Sequence, residues 1–136
     1  MKKIFSTRYS DFSFNLSMFL IRVGFAGLLF LDHGLMKINK YDQMKDAFSD
    51  PVGLGSHPSL LLALFAEIAC AALWAMGLLT RLVSFVLVLH FLTIIFIVHK
   101  GSPLNESEMP IFYLIASITT LLCGPGKWSI DRLIGK

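Results

Sequence analysis

Charge is scarce in this chain: only 15% of its residues are Asp, Glu, Lys or Arg, against 55% hydrophobic. Soluble domains average about a quarter charged residues, so the composition argues against that class and for a chain solvated by lipid. Cysteine is scarce too. Cys70 and Cys123 are the only two and form no CxxC, which removes the motif of a vicinal dithiol mechanism and leaves two buried structural thiols as the expectation. There is no HExxH, haem-ligand arrangement, flavin fingerprint or nucleotide loop, so no metal, haem, flavin or nucleotide is expected. The net charge of +3 comes from basic residues at segment ends, without the aromatic interleaving of a nucleic-acid patch, so no nucleic-acid partner is expected.

Long apolar runs, by contrast, are abundant. Four can be read, Leu16–Lys37, Ser59–Leu79, Leu82–His99 and Met109–Cys123. Each is apolar all round rather than along one stripe, and a spanning helix needs about 20 such residues, so a small soluble bundle could not hide them. The expected fold is therefore an all-α membrane protein, a four-transmembrane-helix bundle forming a single domain over residues 1–136. Lys2 and Lys3 resemble the start of a signal peptide, but the first run is long and no A-x-A-like site closes it, so cleavage is not expected. Lys2, Lys3, Arg8, Arg81, Lys127, Arg132 and Lys136 lie at one end, and Lys37, Lys40, Lys45 and Lys100 at the other. That bias predicts both termini in the cytoplasm and a cell inner-membrane location.

The longest connection, 39–58, carries Tyr41, Met44 and Phe48 at near-helical spacing, then the irregular "DPVGLGSHP". A short interfacial helix or loop is expected, either capping a space between the helices or serving as a plain surface connection.

Ionisable residues inside apolar segments are costly and are functional candidates by default. A rise of about 1.5 Å per residue puts Asp32, His33, Glu67 and His90 in the outer half of the bundle, with His99 and Glu108 at its rim. On an ideal helix Arg22, Ala26, Leu29, His33 and Lys37 fall close to one line, so His33 should face the interior and Asp32 a neighbouring helix or the loop. Glu67 lies in "AEIACAALWAMG", whose small residues admit a close neighbour; its expected partners are His33, His90 and Lys37. Arg22 lies about 12 Å deeper and should answer to Asp131 or to backbone carbonyls.

These features also carry a resemblance. "LIRVGFAGLLFLDHGLMKI", with Arg22 and the His33, Gly34, Lys37 pattern, is similar to the first helix of the DoxX family. Glu67 followed by Gly77 and Arg81 in "MGLLTR", His99 followed by Glu108, and the Gly124, Pro125, Gly126, Ser129, Asp131 ending "GPGKWSID" agree with it in order. The resemblance implies a small four-helix inner-membrane protein, among whose relatives are the membrane subunit of a thiosulfate:quinone oxidoreductase and components associated with terminal quinol oxidase.

The leading functional expectation is a membrane subunit of a quinone-linked redox complex. His33 and Glu67 would be its catalytic pair, and His33, Lys37, Glu67 and His90 its quinone-binding groups, with electrons supplied by a partner redox subunit or a soluble substrate. The alternatives are a non-catalytic anchor, assembly factor or chaperone, and a small-solute or proton carrier, which would need a homo-oligomer for room.

Overall fold

The computed structural model describes residues 3–100 and 104–135; Lys2 and Lys136 of the charge count lie outside them. The described residues are helical, with no strand among them. Helix α1 spans Asp11–Asn39, α2 is the short Tyr41–Met44, α3 spans Ser56–Met76 and α4 Thr80–Val98. Helix α5 covers Leu104–Cys123 and α6 the short Ile130–Ile134. Three helices, α1, α3 and α4, are long and apolar enough to cross a membrane; the apolar stretch of α5, Ser107–Cys123, is shorter.

The ends have local causes. Ser10 caps α1, its Oγ accepting from the Ser13 amide at 3.1 Å, and Asp11 follows in the first turn. The helix therefore begins in polar sequence ahead of the apolar run. Helix α3 ends in a Schellman turn: the Gly77 amide donates to the Trp74 carbonyl and the Leu78 amide to the Leu73 carbonyl. That turn needs the left-handed φ of +70° that Gly77 adopts.

Contacts between neighbours fix alternating helix directions. Arg22 meets Ala75 and Lys37 meets Glu67 between α1 and α3; Glu67 meets His90 between α3 and α4; Phe91 meets Tyr113 between α4 and α5. Ala66, Cys70 and Ala71 of α3 belong to the core beside Ala26 and Leu29 of α1, as small residues at a close crossing allow. A buried polar ladder ties α3, α4 and α5. The Trp74 indole donates to Thr120 Oγ1 at 3.0 Å, and Ser84 Oγ lies 2.7 Å from the same oxygen. Cys70 is buried as expected, whereas Cys123 is exposed; it sits in the last turn of α5 on the outward face, where a thiol can meet lipid at little cost.

Candidate functional site

Each end of the bundle gathers a different set of the singled-out residues. At the end where α1 starts and α5 stops, the chain ties itself into a knot around Arg22, which is 1% exposed. Its Nε donates to the Ala75 carbonyl at 3.3 Å, Nη2 to the Trp128 carbonyl at 2.5 Å and Nη1 to the Pro125 carbonyl. Backbone carbonyls thus answer the guanidinium fork. Asp131 supplies charge nearby, yet its own carboxylate caps α4, accepting from the amides of Leu79 at 2.7 Å and Thr80 at 2.8 Å. Burial alone would push the Asp131 carboxyl up, but these amides and the charge of Arg22 outweigh it and hold it below the ordinary 3.8.

Glycine is required in this knot. A Cβ on Gly77 would stand 2.6 Å from Ser129 Cβ and 2.9 Å from Arg22 Cζ. Gly126 packs on Met18 and Asn15, and the Asn15 side chain accepts the Lys127 amide at 2.6 Å. Ser129 Oγ donates to the Gly126 carbonyl and caps α6, while Gly124 turns with φ +79° beside the exposed Arg81. Arg22, Gly77, Arg81, Gly124, Pro125, Gly126, Ser129 and Asp131 are in this way gathered at one structural clasp.

The opposite end, where α1 passes into the 40–55 loop, holds a cavity of about 710 Å³. Its polar corner is Glu67, 3% exposed. Lys37 Nζ donates to Glu67 Oε2 at 2.6 Å, and His90 Nε2 lies 3.2 Å from Oε1. Both carboxylate oxygens are therefore answered, which a buried anion requires. His33 lines the same cavity but is no partner of Glu67, contrary to the depth argument; its ring stands edge-to-face on Tyr113 at 5.7 Å. His99 lines the cavity nearer the rim, with Nδ1 3.0 Å from Ser107 Oγ. Asp32 and Glu108 are exposed and lie outside it, so the outer-half cluster is smaller than expected.

For His33 the reason is helical geometry that period-3.6 reasoning misses. Helix α1 opens into a π-turn over Leu29–Gly34, α3 over Phe65–Cys70, and α4 closes with one over Ile94–Val98. A π-turn holds one residue more than an α-turn and rotates the remainder of the helix about its axis. In α1 it brings Gly34 onto the buried face, with His33 and Lys37 half-buried beside it. Gly34 then meets the α3 π-turn directly: a Cβ there would lie 2.7 Å from Ile68 Cγ1 and 3.0 Å from the Glu67 carbonyl oxygen. Two π-turns in contact set the Lys37–Glu67 distance.

Three contributors, Tyr113, Asp50 and His57, went unread in the sequence. Tyr113 is 1% exposed, stacks on Phe91 at 5.2 Å, and its hydroxyl has no partner among the described residues. The i, i+3, i+4, i+7 stripe of Tyr113, Ala116, Ser117 and Thr120 was its available signal. Asp50 pins the loop, accepting from Leu54 N at 2.9 Å, Gly55 N at 2.8 Å and Ser59 Oγ at 3.0 Å; the Gly55 amide is the main influence holding its carboxyl below the ordinary value. Tyr41 bonds His57 Nε2 across the loop.

Among the described residues no three His, Cys, Asp or Glu side chains converge as a metal-ligand set. Chemically the cavity offers a donor-rich polar corner, a histidine with both nitrogens unengaged by the described residues, and apolar walls.

The DoxX family profile matches residues 17–100. An uncharacterized membrane protein of Mycobacterium tuberculosis is 28% identical over 126 residues, covering 82% of this chain and 77% of that protein. No solved structure matches the chain.

Proposed function

Because the chain belongs to the DoxX family of membrane proteins, we propose that it is the membrane-embedded subunit of a quinone-linked redox complex, with the loop-end cavity as its quinone site. The carrying observation is the Lys37–Glu67–His90 cluster at the polar corner of a largely apolar cavity of about 710 Å³. Small-molecule sites have this form: mostly apolar walls, a few convergent polar groups and about 300–1,000 Å³.

The residues fit such a ligand. A quinone supplies two-electron, two-proton chemistry and presents carbonyl oxygens on an apolar ring. His33 is free to donate to a carbonyl oxygen, and Leu29, Val86 and Ile94 provide apolar wall. Glu67 holds His90 by its Nε2 and so fixes the orientation of the imidazole at the cavity wall, as general acid–base chemistry requires. Lys37 balances the charge of Glu67. Electrons come from a partner redox subunit or a soluble donor.

In this reading α5 is a fourth span, the single domain covers the whole chain, and the knot end faces the cytoplasm of an inner-membrane protein. Lys3, Arg8, Arg81, Lys127 and Arg132 belong to that end, while Lys37, at the other, is turned inward onto Glu67. Among the described residues the loop end carries Lys40, Lys45 and Lys100 at its surface, against five basic residues at the knot end, the asymmetry on which this orientation rests.

The test is mass spectrometry of the organic extract from protein purified in mild detergent, beside His33→Ala. Near-stoichiometric quinone in the wild type, lost in the folded variant, is the expected result. Folded wild type that carries no quinone and binds none added would sink the reading. It would favour a non-catalytic anchor or assembly factor instead, since both Glu67 oxygens are already paired as in a purely structural contact.

A further inference from the structure

Resting on the quinone reading, we infer that the cavity is reached sideways from the bilayer, through a gap between α3 and α4. Its ligand is then a long-tailed membrane lipid whose polar head meets the Glu67 corner and whose tail stays in that gap. Three features of the cavity wall carry this.

The loop end is roofed. Phe48, Pro51 and Val52 line the cavity from the connection, and the loop is tied down on both sides of them. Asp50 takes three hydrogen bonds, one from the buried Ser59 of α3, and Tyr41 bonds His57 in the first turn of α3. A water-soluble ligand would have to displace this apolar, pinned cover.

The side is open and apolar. Leu62 and Phe65 of α3 and Leu89 of α4 line the cavity, yet they are 51%, 54% and 50% exposed. They are at once inner wall and outer surface, as Val52 of the loop and Met109 of α5 also are at 54% and 42%, but here they stand on two neighbouring helices without the hydrogen bonds that pin the loop among the described residues. Helices α3 and α4 are joined at the knot end by the turn through Gly77, and again at Glu67–His90. The cavity opens at the level of that second tie, with Leu62 and Phe65 on its loop side and Leu89 one residue to its knot side.

The Glu67 corner and the α3–α4 side of the cavity differ in polarity. The charged and imidazole groups Lys37, Glu67 and His90 are only 4–15% exposed, while the mouth residues are hydrocarbon. An amphiphile from the membrane fits this difference head first. Its tail exchanges lipid contacts for protein contacts at little net cost, and only the head must be desolvated.

The experiment uses the full chain in phosphatidylcholine nanodiscs and a benzoquinone with a decyl tail bearing a terminal diazirine. After illumination, labelled peptides are mapped by mass spectrometry with and without excess unmodified decyl benzoquinone. The expected competed label falls on the stretches around Leu62–Phe65 and Val86–Leu89. Leu89→Trp, which narrows the mouth without touching Glu67, should reduce the labelling rate several-fold at an unchanged thermal midpoint. Competed label on Phe48–Val52 or another face, or a Leu89→Trp rate equal to wild type, overturns sideways access and leaves the quinone site standing. No competed label anywhere on folded protein overturns the quinone reading, and the route with it.

Discussion

Neutralising Glu67 without changing its shape puts the cavity to its hardest test. In Glu67→Gln the Lys37 ammonium, 11% exposed, loses a carboxylate 2.6 Å away, and His90 loses the anion at 3.2 Å. Removing one partner of a buried pair costs roughly 3–5 kcal/mol, because the other charge is left uncompensated. At about 2–4 °C per kcal/mol for a chain of this size, the thermal midpoint should fall by roughly 6–20 °C. Lys37→Met should cost less, since Glu67 keeps the His90 ring 3.2 Å from its second oxygen. The double variant leaves no orphan charge, so its cost should be well below the sum of the two singles, with a coupling of about 1–3 kcal/mol. Tryptophan-monitored unfolding in one detergent measures all four proteins. A Glu67→Gln cost under about 1 kcal/mol with additive singles would mean the cluster is water-screened, and the reasoning from burial would fail.

Other consequences are equally concrete. Gly34→Ala forces a methyl to within 2.7 Å of Ile68 Cγ1 and 3.0 Å of the Glu67 carbonyl oxygen; the strain, about 1–3 kcal/mol, should outweigh the helix-propensity gain and weaken any cavity ligand, read by thermal shift and binding. Gly77→Ala meets both a left-handed φ and a 2.6 Å contact with Ser129 Cβ, so it should destabilise by more than about 2 kcal/mol or abolish folding, read by size-exclusion recovery and melting. Asp131→Asn should cost about 1.5–3 kcal/mol through its charged caps. Because the Asp131 carboxyl is lowered in the fold, the unfolded chain binds its proton first as pH falls. Its contribution is complete above the ordinary 3.8 and lost as pH drops through the lower folded value, so Asp131→Asn should flatten the acid limb of a stability–pH profile.

How far the site could be read in advance depended on what each residue's position rests on. Glu67 and Lys37 were legible because a charge within an apolar run must find a partner at its own depth, and depth follows from residue count alone. Arg22 was legible for the same reason, down to its carbonyl acceptors. His33 was assigned to Glu67 wrongly, since azimuth accumulates over every turn and the π-turn at Leu29–Gly34 breaks the 100° count. Asp50 and Tyr113 were passed over because an aspartate in a loop and a tyrosine in an apolar run look ordinary until their neighbours are known.

The sequence by itself determined the apolar character of the chain, its helices and where along them each charge sits, since these depend on composition and on distance along one chain. It also carried the DoxX family, through motifs spaced along nearly its whole length. Tertiary structure alone decided which of the outer-half groups converge and that Asp32 and Glu108 turn away from them. Those outcomes depend on helix rotation and on the meeting of Gly34 with the Glu67 backbone. Both are set by packing between segments 30 or more residues apart, to which local periodicity is blind.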